Sequence, residues 1–180
     1  MNTKNQLIHA IANGDKKAFG SLYELHKDKV YNIALSYLQN VQEAEDVTQE
    51  VFLTIFRNAA SFRGEATIST WIYRITINTS LNLLKRKQRY KHLKMGKEGK
   101  RSADFVHPGV LLDRKEDAKL LFAAIYVLSK NQKTAFILSF IEHLPRQEVA
   151  NIMSLSLKAV EALLQRAKAN LKKKLKKDLS

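Results

Sequence analysis

The chain has 180 residues, a formal net charge of +14 and no cysteine, so it has room for one domain or two small ones and excludes disulfides and thiolate metal sites. Apolar residues make up 45 %, enough for cores, while a pI near 9.9 points to a polyanionic partner, nucleic acid first and an anionic membrane surface second. The N-terminal MNTKNQLIHAIANGDKK lacks the apolar run of a signal peptide and Leu120–Leu128 is too short to span a bilayer, so the expectation is a soluble, intracellular protein.

Six glycines and two prolines, with β-branched residues scattered rather than alternating, predict helices almost throughout. Residues 3–13 read as a short helix closed by Asn13-Gly14-Asp15, which also supplies the next N-cap. A second helix, 16–38, offers Phe19, Leu22, Tyr23, Leu25, Val30, Ile33, Ala34 and Tyr37 to a core, and Gln39-Asn40 breaks it. The third, 41–60, buries Val51, Phe52, Ile55 and Phe56 and carries Glu43, Glu45, Asp46 and Glu50 in its first half. Acids there suit the helix dipole. On a strongly cationic chain, Asp46, Gln49 and Glu50, within about one turn, equally form a docking spot for a basic protein.

The stretch 61–91, SFRGEATISTWIYRITINTSLNLLKRKQRYK, opens with the loop Phe62-Arg63-Gly64-Glu65-Ala66 and becomes a helix near Thr67. Trp71, Ile72, Ile75 and Leu83 fall near one face, while Arg74, Asn78, Asn82 and Arg86 share a neighbouring polar one. The helix runs out into Lys85, Arg86, Lys87, Arg89 and Lys91. Two descriptions fit: a core helix with a solvated basic end, or a helix offering amides to bases and cations to phosphates.

Residues 92–112, interrupted by Gly96, Gly99, Pro108 and Gly109, read as a linker. A second helical unit follows from about Asp113, with stripes Ala118, Leu121, Phe122, Ile125, Leu128 and Ala135, Phe136, Leu138, Ile141. LPRQEVANIMSLSLKAVEALLQRAKANLKKKLKK then fits a helix-turn-helix, although helical hairpins share much of the pattern. Val149, Ala150 and Ile152 belong to its first helix, Met153–Ser156 to the turn, and Val160, Leu163, Leu164 and Ala167 to the inner face of the second. Outward positions are Ser156, Lys158, Ala159, Glu161, Ala162 and Gln165. Lys158 can donate to guanine or phosphate, Glu161 can accept from cytosine and Gln165 can bond adenine. Arg166, Lys168, Lys172 and Lys173 suit phosphates. The lysine tail has only a narrow apolar face, Leu171 and Leu175, which disfavours a membrane role. His9, His26, His92, His107 and His143 show no metal-ligand spacing and read as surface or core filler, and no nucleotide-binding loop occurs. Nothing looks catalytic; no cofactor, metal or small-molecule substrate is expected.

AEDVTQEVFLTIF, followed by FRGEATISTWIYRITINTSLNLLKRKQR, closely resembles the main conserved domain of bacterial RNA polymerase sigma factors. Within the sigma-70 family it is most similar to the extracytoplasmic-function (ECF) group, and the helix-turn-helix resembles that family's −35-reading domain. The resemblance spans about 15–91 and 113–176. It implies an all-α chain of two small helical domains joined by a flexible linker: sigma domain 2 at 1–91, linker 92–112, and sigma domain 4, with the helix-turn-helix, at 113–180. It further implies that Asp46, Gln49 and Glu50 meet a coiled coil of the polymerase β′ subunit and that domain 4 meets the β subunit. The loop Phe62, Arg63, Gly64, Glu65, Ala66, Thr67 and Ile68 would hold a base flipped out of the promoter −10 element. Asn78 and Asn82 would read neighbouring bases, with Arg86 on the backbone, and Ser156, Lys158, Ala159, Glu161, Gln165, Arg166 and Lys168 would serve the −35 element. An anti-sigma factor, often membrane-bound in this group, would grip both domains of an otherwise cytoplasmic protein. Glu161 stands where many relatives are basic, and Ser154 where such turns commonly have glycine, which leaves the −35 preference open. The rival expectations are a free-standing helix-turn-helix regulator and a non-specific nucleic-acid or membrane-surface adaptor.

Overall fold

The structure, a computed structural model, describes residues 3–93, 107 and 115–178, and helices account for nearly all of them, with no strand among the described residues. Helix α1 spans Thr3–Ala12 and gives way to a turn in which Gly14 takes a φ of 86°, a conformation that favours glycine. Asp15 then caps α2, Lys16–Leu38, by accepting from the amides of Lys17 (2.8 Å) and Ala18 (3.0 Å). The helix ends at Gln39, which adopts the left-handed conformation with φ 52°. Asn40 caps α3, Val41–Asn58, by accepting from the Glu43 amide at 2.9 Å. The expected last turn of α3 is instead a tighter 3₁₀ turn, Ala59–Ser61. Helix α4 covers Ile68–Leu93, continuing just past the start of the expected linker. The rest of 92–112, His107 excepted, lies outside the described residues.

Helices α1–α4 pack on one another as a first unit. The second unit comprises α5 (Lys115–Tyr126), α6 (Lys130–Phe136, running into a π turn at Ile137–Ile141), α7 (Arg146–Met153) and α8 (Leu157–Asp178). Helices α5, α6 and α7 all pack on α8. Most expected core positions are buried, but Tyr23, Leu25 and Phe56 are 37 %, 69 % and 42 % exposed. They lie at the edges of their apolar stripes, where helical spacing alone cannot tell flank from centre. Tyr23 still meets Phe52 (4.7 Å between ring centroids) and Phe56 meets Phe19 (5.3 Å) edge-on.

The units share a seam on the last turns of α2, where every residue from Ile33 to Gln39 is buried. Its polar groups find partners across the chain. The Tyr37 hydroxyl lies 2.6 Å from Thr134 Oγ1, and Gln39 donates to the Phe122 carbonyl at 2.7 Å. Ser36 Oγ is 2.8 Å from Nε2 of His107, which also reaches the Asn32 carbonyl at 3.0 Å. His107 stacks on Phe122 at 5.2 Å, and burial lowers its pKa, favouring the neutral ring. Asp15→Ala leaves the first amides of α2 uncapped, and urea denaturation should show a loss of about 1 kcal/mol.

Candidate nucleic-acid interface

On α3, Asp46, Gln49 and Glu50 are all exposed and form one surface. Asp46 accepts weakly from Gln42 at 3.4 Å, and Glu50 lies 4.0 Å from Arg57; both contacts are solvent-exposed and leave the carboxylates accessible to a partner. Glu43 behaves differently. It is half-buried and pairs with Lys87 of α4, tying the two helices together. Beside that pair a groove of about 720 Å³ runs between α3 and α4, lined by Asp46 and Glu50 on one side and Asn82 and Arg86 on the other.

The loop before α4 divides into anchors and exposed positions. Phe62 packs against Trp71 with ring centroids 5.1 Å apart, and Ile68 is buried, so these two hold the loop down. Gly64 adopts a φ of 72°, and Arg63, Gly64, Glu65 and Thr67 are exposed, with Ala66 half-buried. Thr67 caps α4 by accepting from the Thr70 amide at 3.1 Å. Asn78, Asn82 and Arg86 are exposed on α4, at the four-residue spacing that lines one helix face. Arg74, one turn earlier on the same stripe, is directed elsewhere: its Nε donates to the Ile152 carbonyl (3.0 Å), and its Nη2 to the Asn151 carbonyl (2.6 Å) and Ser154 Oγ (3.0 Å).

Those acceptors are the end of α7 and the turn that follows it. Ser154 takes the left-handed conformation, φ 54°, and its amide closes back on Ala150 and Asn151. Ser156 then caps α8, accepting from the Ala159 amide at 3.2 Å. Val160, Leu164, Ala167 and Leu171 are buried, with Leu163 packed against the core. Lys158, Gln165, Arg166 and Lys168 are exposed and Ala159 is half-buried. Lys168 lies over the Phe140 ring, 4.6 Å from its centroid, a favourable cation–π distance. Glu161 pairs with Arg146 at the start of α7, 3.5 Å away, a partner that spacing along α8 could not reveal. Arg146 therefore adds a cation to this face.

The two candidate DNA surfaces meet. A cleft of about 740 Å³ is lined by Gly64–Ile68, Thr70 and Arg74 from the first unit and by Ala150, Asn151, Ser154 and Leu155 from the helix-turn-helix. Arg74 ties the two units across this cleft through three hydrogen bonds from one guanidinium, one part-buried and two solvent-exposed, so water screens much of their strength.

Comparison with known proteins matches residues 22–90 to Sigma-70 region 2 and residues 119–171 to Sigma-70, region 4. The chain belongs to the ECF group of the sigma-70 family. The ECF RNA polymerase sigma factor SigW of Bacillus subtilis is 29 % identical, over 94 % of this chain and 95 % of that protein. The ECF RNA polymerase sigma-E factor of Haemophilus influenzae is 30 % identical, over 96 % of this chain and 95 % of that protein. Two solved structures share the fold. CnrH, in complex with the cytosolic domain of CnrY, aligns with a TM-score of 0.71 at 23 % identity, covering 98 % of this chain and 99 % of that one. The Bartonella quintana sigma factor RpoE, co-crystallised with the anti-sigma factor NepR, aligns at 0.67 and 20 % identity, covering 89 % and 98 %. The function of this sigma factor is to bind core RNA polymerase and direct promoter-specific transcription initiation. Sigma factors are not themselves catalysts. No helix among the described residues is long and apolar enough to cross a membrane.

One buried group of the sigma factor titrates near neutrality. Glu142, just after α6, has an Oε1 that is buried without a hydrogen-bond partner, and burial raises its pKa from 4.5 to about 7 against the opposing pull of Lys29. The folded chain therefore holds this proton more tightly than the unfolded one. Its contribution to stability is greatest at acid pH and is lost as pH rises through about 7. Thermal melts between about pH 5 and pH 8 should show the wild type losing more stability than Glu142→Gln over that window.

Proposed function

We propose that residues 1–91 act as sigma domain 2 and residues 113–180 as sigma domain 4, with 92–112 as the linker between them. Asp46, Gln49 and Glu50 dock on the β′ coiled coil of core polymerase, and domain 4 engages the β subunit. The observation that carries this is an accessible acidic face on α3 in a chain of net charge +14. A surface used only for DNA would gain nothing from the Asp46 and Glu50 carboxylates, which repel phosphate.

In the same reading, Arg63–Thr67 form the pocket for a base flipped from the −10 element, with Phe62 and Ile68 fixing its shape. Asn78 and Asn82 read adjacent bases and Arg86 meets the backbone. At the −35 element the start of α8 enters the major groove: Lys158, Ala159, Glu161 and Gln165 face bases while Ser156, Arg166 and Lys168 serve the backbone. The chain works in the cytoplasm with polymerase and is held inactive by an anti-sigma factor that grips both domains. The co-crystallisation of RpoE with NepR supports that partner class.

Binding of the purified chain to bacterial core polymerase tests the reading. Asp46→Arg with Glu50→Arg should weaken binding by about 100-fold or more through like-charge contact. In run-off transcription Asn78→Ala should impair −10 reading, and Lys158 or Gln165 substitutions should alter −35 choice. Wild-type affinity in the charge-reversed variant would refute the docking surface.

A further inference from the structure

The α4 stripe Arg74, Asn78, Asn82, Arg86 repeats every four residues, so all four side chains leave the helix on one side. Asn82 and Arg86 line the open groove beside α3. Arg74 and Asn78 border a second recess that is closed over by Lys130, Asn131, Thr134, Ile152, Met153 and Ser154 of the second unit. The second unit thus engages the Arg74 end of the stripe, while Asn78, Asn82 and Arg86 stay exposed. At that end, Arg74 makes three hydrogen bonds to the end of α7, all to neutral acceptors. No carboxylate among the described residues forms an ion pair with it.

We propose that Arg74 is a phosphate contact of the −10 face that the helix-turn-helix turn holds in reserve. The proposal rests on the assignment of that face given above. In the closed chain the guanidinium completes the carbonyl end of α7, where a cation also complements the helix dipole. Those carbonyls carry partial charges, whereas a promoter phosphate carries a full one and accepts the same planar fork in bidentate fashion. When the units separate on polymerase, Arg74 exchanges carbonyls for phosphate and extends the Asn78–Arg86 stripe by one turn. Ser154 fits this double use. Glycine would relieve its left-handed backbone, φ 54°, but would remove one of the three acceptors. The promoter and the chain's own recognition motif therefore compete for one side chain.

The chain contains no cysteine, so Asn58→Cys and Ala169→Cys, both at exposed positions, give a clean dye pair reporting separation of the units in the full-length protein. The DNA probe is a promoter duplex chosen by mapping the 5′ ends of transcripts that the wild-type holoenzyme initiates on genomic DNA. Arg74→Ala should increase the dye separation in the free chain. In the holoenzyme it should weaken promoter binding about 10-fold and reduce the salt slope by about 0.7–1, with Arg74→Lys restoring the slope. Gln39→Gly removes a seam bond on the far side, to the Phe122 carbonyl, while easing a left-handed residue. It should open the chain without changing holoenzyme affinity or slope. Unchanged separation in Arg74→Ala, or an unchanged salt slope, overturns the proposal. Asn78→Ala separates the two levels: if it weakens promoter binding and Arg74→Ala does not, only the role of Arg74 falls. If neither substitution has an effect, the −10 face itself is misassigned.

Discussion

A helix can bury every side of itself only where something packs on each side, and the last turns of α2 are buried without interruption from Ile33 to Gln39. The first unit covers one flank; the other would face water if the second unit were absent. Leu35 and Leu38 are fully buried in this run, and each apolar side chain fully removed from water contributes about 1.5–3 kcal/mol. The polar groups set the geometry of the seam. Ser36, Tyr37 and Gln39 are buried too, and an unmet buried hydroxyl or amide costs about 1–3 kcal/mol, so each must find a partner at a fixed place. Those places are His107, Thr134 and the Phe122 carbonyl. With them aligned, α4 and α7 are brought together and Arg74 reaches the helix-turn-helix turn.

Charge is segregated on this frame. The exposed acids of α3 occupy a surface separate from the cations of α8, and the pair of Glu43 with Lys87 sits where acidic and basic helices cross. Such a layout lets one small, cationic chain present opposite potentials to two partners, a basic protein surface and DNA. The field that attracts one repels the other, and this orients the chain as well as binding it. The groove between α3 and α4 is where the two regimes touch.

Much of this was legible in the sequence because helical periodicity and caps are local signals. The Asp15 cap, the break at Gln39-Asn40, the apolar stripes of α5 through α8 and the turn at Ser154 were all legible in place. The stripe edges were harder, since Tyr23, Leu25 and Phe56 obey the spacing of a core yet stay partly in solvent, Tyr23 and Phe56 meeting the neighbouring helix only through one ring contact apiece. What the sequence could not disclose was pairing across distance. Thr134 and Gln39 resemble ordinary turn or surface residues, and His107 sits in a stretch without helical period. Arg74 appeared on a polar stripe, with nothing to mark its guanidinium as engaged by a helix end 77 residues away. Glu161 likewise read as a free acceptor until Arg146 was placed beside it. Tertiary packing decides such partners, and no local pattern records it.

The seam has an order in time. Its hydrogen bonds join residues separated by 71, 83 and 97 positions, and Arg74 waits a further 77 to 80 for its acceptors. On the ribosome, α1 through α4 emerge and can pack before any of those partners has been made, since chains assemble from the N-terminus as they are synthesised. During that interval the end of α2 has no lid and the whole α4 stripe is uncovered. The nascent chain thus passes through a form in which the α4 stripe is open, and it closes only once α7 and α8 have been made.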